Sequence, residues 1–313
     1  MKKKNLLLIL LFGLVIILAG CGQTGLEGEN AGNSDDQVAE KSIDELKIGL
    51  SISTTNNPFF VNLRDGVLET AKEKGMEVVV VDAQDDTSVQ LNGMEDLIQQ
   101  QVDIILVNPV DSDAITPAVE SANSAGIPVM TIDRSSAGGD VVSLIASDNV
   151  KGGEMAANFI VEELDENAKV IELEGIPGAS AANERGEGFN NIAQDKLEVL
   201  DSQTANFNRA EGLTVMENML QAHPDIEAVF AQNDEMALGA IEAIEAAGKL
   251  GEILVVGFDG NEDAIKSVED GKLGATIAQQ PYEMGKISIE AVEKLFSGEQ
   301  VDENIPSPLE LVK

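Results

Sequence analysis

Lys47-Ile48-Gly49-Leu50-Ser51-Ile52, then Asn56-Asn57-Pro58-Phe59-Phe60, then Val78-Val79-Val80-Val81: an apolar run, a helix start and a second apolar run, in that order. The pattern repeats at Ile104-Ile105-Leu106-Val107 and at Pro128-Val129-Met130-Thr131-Ile132. Continuous short runs of this kind suit strands covered on both faces, as in a parallel sheet. The intervening segments, about 12–18 residues each, have helical character. The series resumes with Lys169-Val170-Ile171-Glu172-Leu173, Glu198-Val199-Leu200, Ala228-Val229-Phe230, Ile253-Leu254-Val255-Val256 and Ala275-Thr276-Ile277. Alternating strand and helix units predict an α/β protein with right-handed crossovers. Two consecutive series predict two similar Rossmann-like lobes with parallel sheets. Val141 to Ala146, just before Ser147, is the predicted first crossing between them.

Ligands of open parallel sheets bind outside the carboxyl ends of the strands. The residues that follow the strands are therefore the candidates. After the first come Asn57, Pro58, Phe59 and Phe60, with Asn57 suited to cap a helix and Pro58 to its first position. After the fourth come Asp133 and Arg134. Further on come Phe207, then Gln232-Asn233-Asp234, Phe258-Asp259 and Gln279.

Aromatic residues are scarce: no Trp, one Tyr and nine Phe. Phe59, Phe60, Phe207 and Phe258 fall at these loop positions. They are either core at helix starts or the walls of a cleft. Adjacent Asn, Asp, Arg and Gln favour the cleft. A small polyhydroxylated ligand fits that set. Phenylalanine rings cover its C–H faces, Asp accepts from hydroxyls, Arg donates, and Asn and Gln do both. Acids and bases that offset one another suit an uncharged ligand.

The amino-terminal end carries a different message. Lys2, Lys3 and Lys4 precede an apolar run from Leu6 to Leu18, and Leu18-Ala19-Gly20-Cys21 follows. This is the pattern of an export signal over residues 1–20. The run is short for a spanning helix. The last four residues resemble the bacterial lipobox, which predicts lipidation of Cys21 and a chain held on the outer face of the cytoplasmic membrane. Residues 21–44 are predicted to be a flexible acidic linker. Such a tether, with no core-forming apolar residues, spans roughly 25–30 Å.

With 313 residues the chain is long enough for two cores. Cys21 is the only cysteine, so the body after it has no thiol chemistry. Net charge is -36, and loss of the three lysines of the signal makes it more negative. Such a surface repels phosphate backbones, which excludes nucleic acid as a partner. The single histidine, His223, precedes Pro224 and lacks a nucleophile motif around it. No catalytic set, metal site or cofactor motif emerges. Gly186-x-Gly188 does not follow a strand directly and lacks the third glycine of a dinucleotide fingerprint.

Taken together, these residues resemble the ribose-binding members of the type 1 periplasmic binding proteins, extracytoplasmic receptors of ABC importers. The resemblance spans about Lys47 to Val312. Its blocks are Asn56-Asn57-Pro58-Phe59-Phe60, Ile132-Asp133-Arg134, Ala146-Ser147-Asp148-Asn149-Val150, Glu184-Arg185-Gly186-Glu187-Gly188-Phe189, Phe230 to Ala240, Val256-Gly257-Phe258-Asp259-Gly260 and Thr276-Ile277-Ala278-Gln279. It implies an N-terminal lobe of residues 45–147 and 280–308, a C-terminal lobe of 148–279 and 309–313, and a three-strand hinge at Ser147, Gln279 and Pro308. It implies that Phe59, Phe60 and Phe207 sandwich a sugar ring, with Phe258 completing the wall. Asn57, Asp133 and Arg134 would be the polar contacts of one lobe. Arg185, Asn233, Asp259 and Gln279 would be those of the other, and Arg185 enters through the resemblance alone.

The implied function is capture of D-ribose by hinge closure, followed by delivery to the permease and ATPase subunits of an importer, by a monomer without enzymatic activity. The lipobox departs from the free receptors of cells with an outer membrane. The residues flanking Phe207, Asn206 and Asn208, also vary, which leaves allose, xylose, galactose or a furanosyl signalling molecule as alternative ligands. A sugar-sensing repressor would need a basic helix-turn-helix where the acidic linker stands. An exported Rossmann-type enzyme would need the missing glycine fingerprint.

Overall fold

A computed structural model describes residues 41–313. The signal-like segment, Cys21 and most of the predicted linker lie outside the described residues. The linker ends sooner than predicted. A 3-10 turn forms at Ile43–Glu45, where Ile43 packs on the first core and Lys41 pairs with Asp103 at 2.6 Å. Ile43 is the apolar residue that lets this stretch dock.

The first lobe starts with β1 (Lys47–Ile52), α1 (Pro58–Glu73), β2 (Glu77–Asp82), α2 (Thr87–Gln99), β3 (Ile104–Val107), α3 (Thr116–Ser124), β4 (Val129–Ile132) and β5 (Val141–Ser147). The chain then crosses into α4 (Asn149–Leu164), β6 (Lys169–Glu174), α5 (Ser180–Lys196), β7 (Glu198–Thr204), α6 (Arg209–Ala222), β8 (Ala228–Ala231), α7 (Asp234–Ala246), β9 (Leu254–Asp259), α8 (Glu262–Glu269) and β10 (Ala275–Ala278). It returns with α9 (Pro281–Phe296) and β11 (Asn304–Ser307), and ends with β12 (Glu310–Val312) in the second lobe.

The first sheet has the order β11-β5-β4-β3-β1-β2 and the second β12-β10-β9-β8-β6-β7. Both contain the same doubly wound core, with switch points at β1/β3 and β6/β8. In the first sheet every pairing is parallel; in the second, β12 runs antiparallel to β10. β12 reverses because β11 runs parallel to β5 toward the facing lobe and only Pro308 and Leu309 follow it, so the chain enters the second sheet from the carboxyl ends of its strands. β3 and β4 are fully buried, as double-sided coverage requires. β2 departs from that pattern: it is an edge strand, and Val80 is exposed.

Helices of the second lobe pack closely through small residues. A Cβ built at Gly188 of α5 would overlap the carbonyl oxygen of Val150 in α4, and one built at Gly153 of α4 would overlap that of Arg185. The glycines that sequence alone leaves unexplained are thus the contact that sets α5 against α4, and with it the position of Arg185. Glu172 of β6 is a buried acid away from the interlobe cleft. It accepts from Gln232 Nε2 at 2.9 Å and from Ser202 Oγ at 3.2 Å. Burial pushes its carboxyl up to about 7.

Two stability outcomes follow. Gly188→Ala must shift backbone, so its thermal midpoint is expected to fall, with a cost of about 1–3 kcal/mol; an unchanged midpoint contradicts the packing described. Because Glu172 titrates higher folded than unfolded, the folded chain holds an extra proton between roughly pH 4 and 7. Its contribution is fully present at the acid end and lost as pH rises through 7. Glu172→Gln is therefore expected to stabilise at pH 8, by about 2–3 kcal/mol at most, and to have little effect near pH 4. Equal shifts at both pH values in chemical denaturation would refute this.

Candidate functional site

The carboxyl ends of both sheets face each other, and the lobes touch there. Ser112 N–H donates to the Gly178 carbonyl at 3.0 Å, Ser180 N–H to Ser112 Oγ at 3.3 Å, and Ser135 N–H to Ser180 Oγ at 2.9 Å. Between the lobes is a narrow chamber lined by Asn57, Phe59, Phe60, Asp133 and Arg134 from the first and by Ala181, Arg185, Phe207, Asn233 and Asp259 from the second. A wider mouth of about 300 Å³ opens beside it, with Asp85, Asn206, Arg209 and Glu235 on its walls.

Each lining residue is held by its own local structure. Asn57 caps α1, its Oδ1 accepting from Phe59 N–H at 2.9 Å, and Pro58 takes the first helical position. That capped start turns Phe59 and Phe60 inward, where their rings meet edge to face at 5.1 Å. Asn108, just past β3, ties three strand ends together. It accepts from Ser53 N–H and donates to the Ile132 carbonyl at 3.1 Å and to Asp133 Oδ2 at 3.3 Å. Asn233 caps α7 and donates to the Phe207 carbonyl at 3.2 Å. Asp133, Phe207 and Asp259 have φ of 66°, 56° and 122°. Left-handed backbone of this kind is strained for residues other than glycine and gathers at functional sites.

The electrostatics are balanced and dry. Asp133, Arg134, Arg185 and Asp259 are each at most 4% exposed. Arg134 Nε lies 3.6 Å from Asp133, and Arg185 Nη1 3.6 Å from Asp259. The Arg134 guanidinium sits 5.1 Å from the Phe60 ring centroid and 5.4 Å from that of Phe207, so it touches aromatic rings of both lobes. Burial pulls both arginines below their ordinary value. Burial raises Asp133, against the pull of Arg134 and Arg185. Burial pushes Asp259 up to about 7, with Arg185 opposing and Asp133 adding to the rise.

Among the described residues, Asp133 Oδ1, Arg134 Nε and Gln279 Oε1 are buried without a hydrogen-bond partner. Two acceptors and a donor at or beside the chamber thus keep unused hydrogen-bonding capacity. No group of three or more His, Cys, Asp or Glu side chains among the described residues is placed to hold a metal.

Nine of the eleven sequence candidates line this chamber. The other two stand behind it. Phe258 and Asp259 are the last residues of β9 rather than a loop after it, and strand alternation sends them to opposite sides. Phe258 is fully buried in the second core, against Gly152 and 3.8 Å from the Arg185 guanidinium. Gln279 donates through Nε2 to Asp259 Oδ1 at 2.9 Å. Strand-end reasoning missed Asn149, whose Oδ1 accepts from Arg185 Nε at 2.9 Å, and Asn108. Both follow strand ends, which is the signal that marks them. Arg185 lies two turns into α5 and donates to the Gln232 carbonyl at 2.7 Å. Its arginine among Ala181, Ala182 and Gly188 on a buried helix face is the feature that betrays it.

The Asp259 carboxyl carbon is expected to titrate near 7 by NMR, and higher in Arg185→Met, because the guanidinium favours the ionised form. A midpoint in the ordinary carboxylate range would contradict the buried geometry.

The periplasmic binding protein domain model matches residues 48–300. The ribose import binding protein RbsB of Bacillus subtilis (strain 168) is 60% identical over 267 residues, 85% of this chain and 87% of that protein. The protein of the same name from Escherichia coli (strain K12) is 52% identical over 88% of this chain and 93% of its own. Among solved structures, an ABC transporter periplasmic solute binding protein from Actinobacillus succinogenes 130z with bound D-allose superposes with a TM-score of 0.80 at 34% identity, covering 86% of this chain and 98% of that one. Shared architecture, a two-lobed chamber and identity over most of the length lead to one conclusion: the chain belongs to the periplasmic binding protein family.

Proposed function

We propose that the chain is an extracytoplasmic receptor that captures D-ribose between its lobes and delivers it to an ABC importer. The single observation that supports this is the chamber, on which phenylalanines and offsetting Asp and Arg side chains from both lobes converge. The relatives named for ribose import, at 50–60% identity, support the choice of pentose. The ligand is bound and released unchanged.

Asn57, Phe59, Phe60, Asp133 and Arg134 hold the sugar from one side, and Arg185, Phe207, Asn233 and Asp259 from the other. Phe258 supports Arg185, and Gln279 supports Asp259 while offering its free Oε1. The hinge lies where the chain changes sheets, at Ser147, Gln279 and Pro308. Sugar favours closure because only the closed form lets both lobes touch it. The chain acts as a monomer. Cys21 carries the lipid that holds it on the outer face of the cytoplasmic membrane, and permease and ATPase subunits receive the closed form. A second reading, another sugar or polyol of similar size, is favoured by one observation: fold neighbours at 34% and 35% identity hold D-allose and myo-inositol.

Calorimetric titration of the chain lacking residues 1–21 tests both readings. Heat with ribose, absent in Arg134→Ala, is the expected result; heat only with another member of a pentose, hexose and inositol panel replaces the ligand; silence across the panel refutes the site. The sign of the pH effect is also fixed. An ionised Asp259 accepts from hydroxyls, and its midpoint near 7 means protonation on acidification. Affinity is expected to be about tenfold weaker at pH 6 than at pH 8, and a flat profile would remove Asp259 from the contact set.

A further inference from the structure

Asp234 is the most thoroughly buried carboxylate of the second lobe, with 0% exposure, yet it is absent from the chamber lining. It is the first residue of α7, directly after Asn233. Its Oδ2 accepts from Asn261 N–H at 2.7 Å and its Oδ1 from Thr276 Oγ1 at 2.7 Å. Thr276 Oγ1 in turn accepts from Gly260 N–H at 3.2 Å. A Cβ at Gly257 would overlap the Asp234 carboxylate, so that glycine makes its seat.

These bonds converge on one place: the turn Asp259-Gly260-Asn261. Asp259 there has φ of 122° and Gly260 has φ of 74°. A non-glycine residue in such a conformation persists only when its surroundings hold it. Asp234 holds the two residues after Asp259, directly and through Thr276. Gln279 N–H, donating to the Asp259 carbonyl at 2.9 Å, holds it from β10. A buried acid is costly unless its bonds achieve something. Here the bonds set the direction of the Asp259 side chain.

We infer that Asp234 is a positioning residue for sugar binding: it never meets the ligand, and it acts by fixing the strained turn that aims Asp259 into the chamber. The inference rests on the ribose-receptor reading for its functional meaning, and on the turn geometry alone for its physical content.

The test is a double-variant cycle on ribose affinity, with the full chain in mild detergent. Asp234→Ala is expected to weaken binding by about tenfold or more, and Asp234→Asn, which keeps an acceptor for Asn261 and a polar partner for Thr276, by only about threefold. In an Asp259→Asn background the same Asp234→Ala change is expected to cost less than about twofold, because the group it positions has lost its role. Losses that multiply in the double variant overturn the inference. Should Asp234→Ala fail to fold, Thr276→Val breaks one arm of the same device and is carried through the same cycle with the same criterion. If the unaltered chain ignores ribose, the ribose reading falls, and the backbone of Asp259 in the sugar-free chain still decides the inference, because its φ of 122° is readable by NMR from the three-bond HN–Hα coupling. Asp234→Ala is expected to change that coupling as the turn relaxes; an unchanged coupling overturns the inference.

Discussion

Four ionisable side chains buried between two lobes set the terms for the rest of this structure. Arg134 and Arg185 each lose water, and each must recover the cost from partners. Asp133 and Asp259 supply opposite charge at 3.6 Å, too long for strong hydrogen bonds, and backbone carbonyls of Pro109 and Gln232 accept from the guanidinium groups. The compensation is incomplete, since Arg134 Nε and Asp133 Oδ1 remain unpaired. A closed cleft of this kind is better satisfied with hydroxyl groups inside it than without them. That difference would drive the closure proposed above.

Precision comes from the elements behind the charges. Each sheet presents most of its residues at the carboxyl ends of its strands, β1 and β4 in the first and β8 and β9 in the second, and amide side chains lock those ends. Asn108 does this in the first lobe. Gln232 does it in the second, accepting from Gly175 N–H at 2.8 Å and donating to Glu172. Glycine permits the closest approaches. A side chain on Gly175 would displace the Phe207 ring, and one on Gly188 would displace α5. Asp234 completes the scheme by holding the turn that follows Asp259. The two lobes thus apply one solution twice with different residues.

Strand runs were legible because parallel strands are apolar along their whole length, as β3 and β4 are. β11 and β12 were not, since Asn304–Ser307 and Glu310–Val312 are short, carry polar residues and are set by pairing with distant strands. The chamber was legible where its lining sits at strand ends, as with Asn57, Asp133, Arg134 and Asn233. It was illegible where a residue reaches in from a helix, as Arg185 does, or where a strand runs longer than its apolar core. That second case misplaced Phe258, because the polar Asp259 after it looks like the start of a loop while still hydrogen-bonded in the sheet. Supporting residues such as Asn149 and Asp234 also follow strand ends, but their supporting role has no local trace, because their partners are remote in sequence.

The central claim is that both lobes share one ligand and close because of it. Small-angle X-ray scattering of the chain lacking residues 1–21, with and without ribose, addresses it directly. A radius of gyration that contracts on addition of ribose, and fails to contract in an Arg134→Ala, Arg185→Ala double variant that remains folded, is the result this account predicts. A radius indifferent to ribose in the unaltered chain while calorimetry registers binding would contradict it, because the sugar would then be held without bringing the lobes together.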